Sequence, residues 1–365
     1  MSGIEVFVRT LVERLQQLGH HAVVITAAAA AWHGAEPDRV GDIPVYRFAE
    51  STIKPRLLTH RFQYLQTVER AVRKERLDVV ECCDESGLLW SKRFGCPLIV
   101  RMHQNGSVRL RMMGLRPEPV GDFFVRRLLR IADLRVGVSD WVARMTLDTV
   151  GLNDLDYRVV YNGVDTSVFT PTNTRADADL ILYVGQLNDR KGLDTLFAAI
   201  PAVMRQHPAA RLRCVGANRA ESGLPPPSEK YMSMIPSSLR SRVDFAGEVA
   251  RERMPEEFRR AGLCVFPSRA EGHPIAVLEA MACGAPVVFM RDGVGPEVIA
   301  DRVDGLLCDT RDPAVLASTM SEALSSPGLR SGLGKRARQK VELKFSLDKT
   351  TDENVAMYEE MVRSE

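Results

Sequence analysis

The chain has 365 residues, more than one ordinary hydrophobic core accommodates and enough for two domains. Hydrophobic residues make up 45% and charged residues 26%, and 49 Lys plus Arg against 47 Asp plus Glu leave a net charge of +2, which gives no general reason to invoke nucleic acid. Seven scattered cysteines, an odd count with no CxxC pair, argue for reduced thiols and against a disulfide framework or a zinc site.

No apolar run approaches the ~20 residues of a membrane span, and MSGIEVFVRT has no leader pattern, so the expectation is a cytoplasmic protein. In chain order, residues 5–18 place Val6, Phe7, Thr10, Leu11, Leu15 and Leu18 on one helical face. Gly19 ends that helix, and HAVVIT (21–26) reads as a buried strand. A helical pattern over 65–74 leads into the strand LDVVE (77–81), followed by the strand PLIVRM (97–102). Residues 123–131 read as a helix and 134–138 as a strand. Ser139 and Asp140 then look like caps for a helix from Trp141, and 157–161 (YRVVY) reads as a short strand.

Residues 162–179 are polar and turn-rich, a linker by composition. Strands at 180–184, 210–215, 242–246, 263–267 and 285–289 then alternate with helices at 192–206, 254–261 and 275–282, and with further helical segments to the C-terminus. Repeated strand–helix alternation predicts parallel sheets covered by helices on both faces. The fold class is therefore α/β, with two doubly wound domains and ligands at the carboxyl ends of strands, in a crevice between domains. A doubly wound domain normally opens on a strand, whereas this sequence opens directly on Ser2-Gly3 and a helix. The expectation is that its first strand lies upstream.

Three constellations carry chemistry. In EGHPIAVLEAMACGAP, Glu271 precedes a short helix and Glu279 lies about two turns in. Pro274 suits the first helical position, Gly284 the C-terminal cap, and Pro286 follows. The helix start offers free N–H groups and a positive dipole end, which suit phosphate or a sugar hydroxyl, and carboxylates accept hydrogen bonds from paired hydroxyls. An acid before a helix is also an ordinary capping group. In YVGQLNDRKGLDTL, Gly185 lies in a loop after a strand, and Arg190 and Lys191 stand at the helix start Gly192. Such a lysine can neutralise a diphosphate, or the segment is a solvated basic turn. Neither a Walker A nor a GxGxxG pattern is present. His103 follows a strand beside Gly106 and either reaches the crevice or lies on a surface loop.

Together these motifs resemble the family-4 retaining glycosyltransferases of GT-B architecture, two Rossmann-like doubly wound domains facing a central cleft. The E-x7-E motif is Glu271 to Glu279, and VG-x-L-x3-KG is Val184 to Gly192. YNGVDTSVFTP resembles the interdomain entry, DGVGPEVIADRVDGLL the donor domain's closing loop, and FSLDKTTDENVAMYEEM a helix crossing back onto the first domain. The resemblance implies an acceptor-side domain at 1–165, a donor domain at 166–345 and a returning helix at 346–365. It implies transfer from a nucleoside-diphosphate sugar to a hydroxyl of a saccharide, lipid-linked or small-molecule acceptor, with no metal and no cofactor.

By the same resemblance, Glu271 would hydrogen-bond the donor sugar, with Gly272, His273, Pro274 and Ile275 around its pocket. Glu279 would hold the ribose, Lys191 the diphosphate, and His103 would face the reacting centre. Gln186 stands where the family usually has arginine, with Arg190 as a compensating cation. His273 replaces the common phenylalanine, and Gly3 is the surviving second glycine of a Gly-Gly loop. The other readings are a non-catalytic relative that only binds, or a nucleotide-sugar epimerase of the same architecture.

Weaker signals remain. Asp154/Asp156 and Asp177/Asp179 match a DxD metal pattern but lie in polar loops before strands. The segment 109–135 sets Arg109, Arg111, Arg116, Arg126, Arg127, Arg130 and Arg135 among Met112, Met113, Phe123 and Phe124. It is either a solvated basic helix or a peripheral contact with an anionic membrane. Cys82 and Cys83, near Asp84, Glu85 and Gly87, read as lining of the acceptor side or its core.

Overall fold

The computed structural model describes residues 3–28, 38–49, 56–84, 89, 91, 92, 94–116, 119–172, 176–218 and 225–364. Glu85 and Gly87, and residues 173–175 of the predicted linker, lie outside the described residues. The chain divides into two compact units, residues 1–161 with 350–365 and residues 162–349.

The first unit begins with α1 (Gly3–Gln17), which buries Phe7, Leu11 and Leu15 at successive i, i+4 positions. Gly19, at φ +88°, takes the left-handed turn that ends the helix, and His20 N–H bonds back to Leu15 O. β1 (Val24–Ala28), β2 (Asp38–Val40) and β3 (Ile43–Ala49) form a three-stranded sheet in the order β1-β3-β2. After α2 (Arg56–Glu75), β4 (Val80–Cys83), β5 (Leu98–Met102), β6 (Leu134–Gly137) and β7 (Arg158–Val159) form a parallel four-stranded sheet in chain order. α3 (Gly106–Met112), α4 (Pro119–Ile131) and α5 (Asp140–Thr149) are its connecting helices. Ser139 caps α5, its hydroxyl accepting from Val142 N–H. All five residues of β5 are buried, as a strand covered on both faces must be.

The second unit is built on six parallel strands. They are β8 (Asp177–Val184), β9 (Arg211–Val215), β10 (Val243–Gly247), β11 (Ala261–Phe266), β12 (Val287–Met290) and β13 (Leu306–Cys308), ordered β10-β9-β8-β11-β12-β13. α6 (Leu193–Gln206), α7 (Pro227–Ser233), α8 (Met254–Arg260), α9 (Ile275–Ala282), α10 (Gly295–Val298), α11 (Pro313–Ser325) and α12 (Pro327–Lys340) complete it. The chain steps outward from β8 to β9 and β10, then returns to lay β11 against the other edge of β8. The order reverses between β8 and β11, so the loops after these two strands emerge side by side at one end of the sheet.

α13 (Leu347–Arg363) belongs largely to the first unit, where Met357 packs with Ile99, Val136 and Val160. Beneath it lies Arg101, fully buried. Its guanidinium makes two bonds to Glu81 at 2.6 and 2.9 Å and one to Asn354 Oδ1 at 2.5 Å, and Tyr358 Oη donates to Glu81 at 2.8 Å.

Sequence pattern alone did not find the β2–β3 pair or the first turns of α2. Pro44 interrupts the alternation in IPVYRFA, yet β3 tolerates it opposite Arg39 of the short edge strand β2.

Candidate functional site

Two loops at the β8/β11 reversal build the site. After β8, Tyr183 Oη donates to Gln186 O at 2.6 Å and fixes the start of the loop. Asn188 Oδ1 then accepts from Lys191 N–H at 3.0 Å, capping a single 3-10 turn, Asp189–Lys191. Gly192 follows at φ +73°, and a Cβ there would lie 1.9 Å from Pro267 O, so only glycine permits this approach of the two loops. Arg269 N–H, in the loop after β11, donates to Arg190 O at 3.0 Å and zips them together.

Here Lys191 meets Glu271. Lys191 Nζ lies 2.5 Å from Glu271 Oε1, and Ser268 Oγ donates to the same oxygen at 2.6 Å. Burial pushes the Glu271 carboxyl up, but the charge and hydrogen bond of Lys191, the Ser268 hydroxyl and Arg190 together hold it below its ordinary value. Glu271 is therefore a carboxylate and an acceptor. Arg190 places a nitrogen 3.2 Å from Gln186 Oε1, so the loop brings a guanidinium to the Gln186 side chain.

α9 starts next. Pro274 stands in the N-cap position in extended conformation with no side-chain cap, and Val277 N–H already bonds to Pro274 O. Leu278 N–H bonds to Pro274 O as well, so Ile275 and Ala276 carry the first-turn N–H groups that the helix leaves without an intrahelical acceptor. Glu279 is buried one turn further on, 4% exposed, with Oε1 2.7 Å from Arg251 Nη2. Burial raises its carboxyl above the ordinary value, and Arg251 offsets this only in part.

His273 is 5% exposed and gripped by Asn162, whose backbone N–H donates to Nδ1 at 3.2 Å and whose Nδ2 donates to His273 O at 2.9 Å. Nδ1 is thus an acceptor and the neutral ring carries its proton on Nε2. Burial, and then Lys344, push the imidazole down to about 3. The ring meets Phe345 edge-on at 5.2 Å, an aromatic contact of the kind a phenylalanine would make.

The remaining predicted residues lie in the first unit. His103 follows β5, donates its backbone N–H to Asp84 Oδ1 at 3.0 Å and packs edge-on against Phe7 at 5.0 Å. Burial and Arg101 push its imidazole down to about 3. Gly3 is exposed at the start of α1. Much of the arginine-rich segment lies in α3 and α4; Met113 and Leu115, just after α3, and Val120 and Phe123 of α4 project with 40%, 52%, 58% and 62% exposure. Of the DxD carboxylates, Asp177 is ion-paired with Arg211 and also accepts from Asp179 N–H. Burial raises the Cys82 thiol well above its ordinary value.

Sequence reasoning missed Ser268, Arg251 and Asn162. Ser268 had a signal, a hydroxyl at the carboxyl end of the strand before Glu271. Arg251 and Asn162 had none, because each lies far along the chain from its partner, Asn162 and His273 being 111 positions apart.

Residues 166–340 match the family described as glycosyl transferases group 1, and residues 1–168 match glycosyltransferase family 4. A D-inositol 3-phosphate glycosyltransferase of Nocardiopsis dassonvillei is 26% identical over 98% of this chain and 89% of its own length. One from Salinispora arenicola is 30% identical over 76% of this chain and 66% of its own. Among solved structures, sucrose-phosphate synthase from Thermosynechococcus elongatus superimposes with a TM-score of 0.84 at 20% identity, covering 100% of this chain and 94% of that one. Anabaena HepE in complex with UDP and glucose gives 0.72 at 18% identity, covering 98% and 95%. The fold is GT-B, two Rossmann-like domains, and the chain belongs to the family-4, group 1 glycosyltransferases.

Proposed function

We propose that this glycosyltransferase moves a sugar, with retention at the anomeric carbon, from a nucleoside-diphosphate sugar to an acceptor hydroxyl without a metal ion. The observation that carries this reading is the Lys191–Glu271 pair beside the uncapped start of α9. Negative charge grows on the leaving diphosphate as the anomeric C–O bond breaks. A lysine and first-turn N–H groups fixed beforehand stabilise that charge where it develops. Lys191 has three donors, and Glu271 occupies one. Glu271, held ionised, accepts from a donor-sugar hydroxyl, and Glu279 accepts from the ribose.

In this mechanism the acceptor oxygen bonds to the anomeric carbon on the face the diphosphate leaves. Its proton passes to a phosphate oxygen of that leaving group, so no protein base is needed. Arg190 beside Gln186 supports catalysis over a binding-only reading, since it supplies a second cation to the loop. HepE, a structural neighbour, was solved with UDP-glucose, and the D-inositol 3-phosphate enzymes are relatives in sequence. Uridine-diphosphate sugars, and acceptors from phosphorylated polyols to lipid-linked saccharides of polysaccharide and glycolipid synthesis, are therefore the first substrates to screen. His103 would serve the acceptor side, and the protein would work in the cytoplasm, touching the membrane surface only peripherally.

The test is a thermal-shift screen of nucleoside-diphosphate sugars, followed by product analysis by mass spectrometry. A donor that raises the melting temperature and yields glycosylated acceptor supports the proposal. Binding without turnover supports the non-catalytic reading, an interconverted sugar nucleotide supports the epimerase, and no binding by any donor overturns the donor site.

A further inference from the structure

The turn that carries Lys191 also carries an acid. Asp189 opens the 3-10 turn that Lys191 ends, about 4 Å earlier along its axis. A carboxylate so close draws Lys191 and Arg190 to itself and repels an incoming anion. The fold takes its charge elsewhere. Lys230 Nζ donates to both oxygens of Asp189, at 2.7 and 2.6 Å, and Tyr231 Oη donates to Oδ1 at 2.9 Å. Burial raises the Asp189 carboxyl, but Lys230 and Tyr231 outweigh it and hold the group below its ordinary value.

Lys230 and Tyr231 lie on α7, which is anchored on two sides. Tyr231 is buried, its ring 5.3 Å from that of Phe197 on α6. Asn218, just past β9, donates its Nδ2 to Ser228 Oγ at 2.7 Å and accepts from Ser228 N–H at 3.0 Å. α7 thus reaches Asp189 from the loop after β9, as Glu271 reaches Lys191 from the loop after β11. Asp194, the next acid along the chain, is paired with Arg269 at 2.5 Å. Both side chains of the Lys230–Asp189 pair are about half exposed, and exposed ion pairs contribute little to stability. The effect of this pair therefore lies in where it places charge.

We propose that Lys230, steered by Tyr231, is a positioning residue that sequesters the charge of Asp189, so that Lys191 and Arg190 present theirs to a diphosphate. This rests on the reading of Lys191 as the diphosphate cation. With Asp189 held by α7, Lys191 meets Glu271, and Arg190 reaches the neutral amide of Gln186. Without Lys230, Asp189 becomes a second acid within reach of both cations. It then competes with the anionic ligand for them and repels it through space. Lys230 touches no part of the donor in this role. It acts through Asp189, so neutralising Asp189 makes Lys230 dispensable.

The test is calorimetric titration of UDP into the wild type, Lys230→Met, the double variant Lys230→Met/Asp189→Asn and Lys191→Ala, with melting temperatures in parallel. Lys230→Met is expected to weaken UDP binding about fivefold at low salt while melting close to the wild type. That loss is expected to shrink at about 1 M salt, which screens a charge effect and leaves a packing effect in place. The double variant is expected to recover wild-type affinity, because no charge is left to sequester. Unchanged affinity in Lys230→Met, or a loss that the double variant does not recover, overturns the inference, and a weakened Lys191→Ala beside it shows that the diphosphate reading survives. A wild type that does not bind UDP, or a Lys191→Ala that binds it as tightly as the wild type, overturns that reading and the inference with it.

Discussion

Asn162 holds His273 at two points, its N–H on the ring Nδ1 and its side-chain amide on the backbone carbonyl. The ring is thereby locked neutral, since protonating Nδ1 would set two donors face to face. The folded imidazole titrates at about 3, well below the ordinary 6.5. Above pH 6.5 both folded and unfolded chains carry a neutral ring and this group contributes no pH dependence. As pH falls below 6.5, the unfolded chain takes up a proton that the folded chain cannot, and stability drops. Between pH 7 and 5.5 the loss is about 1 kcal/mol. His273→Phe, which keeps the contact with Phe345, is expected to remove that loss. Urea unfolding of both proteins at the two pH values checks it, and identical pH dependence would refute it.

Lys191 is the cation on which the proposed chemistry depends most. Lys191→Ala is expected to lower kcat by about 10²–10³, the usual cost of removing one fixed donor from a developing anion. It also leaves Glu271 with Ser268 as its remaining side-chain hydrogen-bond partner, at a stability cost of about 1.5–3 kcal/mol. Lys191→Arg restores the charge but not the point geometry, so it is expected to recover stability more fully than activity. Parallel recovery of both would mean that the pair is only structural.

Glu279 behaves in the opposite sense. Its carboxyl is raised, so at neutral pH the folded protein holds a charge that burial disfavours and Arg251 only partly supports. Glu279→Gln is therefore expected to leave the ligand-free melting temperature unchanged or slightly higher, while weakening donor binding about tenfold. Calorimetric titration with UDP-glucose, alongside thermal unfolding, reads both quantities. A variant that loses stability yet keeps affinity would contradict the ribose assignment.

Phe123 and Val120 project from α4 beside a row of arginines. If this face meets a membrane, flotation with liposomes containing about 30% anionic lipid should carry the protein up at low salt and lose it at high salt. Phe123→Ser should weaken flotation several-fold without changing the melting temperature, because the ring is already in solvent. Equal flotation of the two proteins would reject the contact.

Sequence made the fold class and the two loops at the β8/β11 reversal readable because both are local facts. Alternating strand and helix periods announce parallel sheets, and Lys191, Glu271, Pro274 and Gly284 sit at positions fixed by nearby turns and caps. What escaped was non-local. Arg251 reaches Glu279 and Asn162 reaches His273 through tertiary contacts between distant segments, which no window of sequence encodes. The helix at 275–282 was read correctly, whereas IPVYRFA was not, since Pro44 breaks the period that β3 keeps. The contact of Arg190 with Gln186 needed the loop's bend at Asn188.

Arg101 also sets an order of assembly during synthesis. Its charge is fully buried and leans on Asn354, 253 positions later, and on a carboxylate that Tyr358 braces. Residues 162–349 leave the ribosome before α13 is complete, so the second unit has every strand it needs while the first still lacks the lid over a buried guanidinium. Domains usually fold from the N-terminus onward. Here the first unit is completed last, and a nascent chain halted before Asn354 would present a folded second unit tethered to a first unit open to chaperones and proteases.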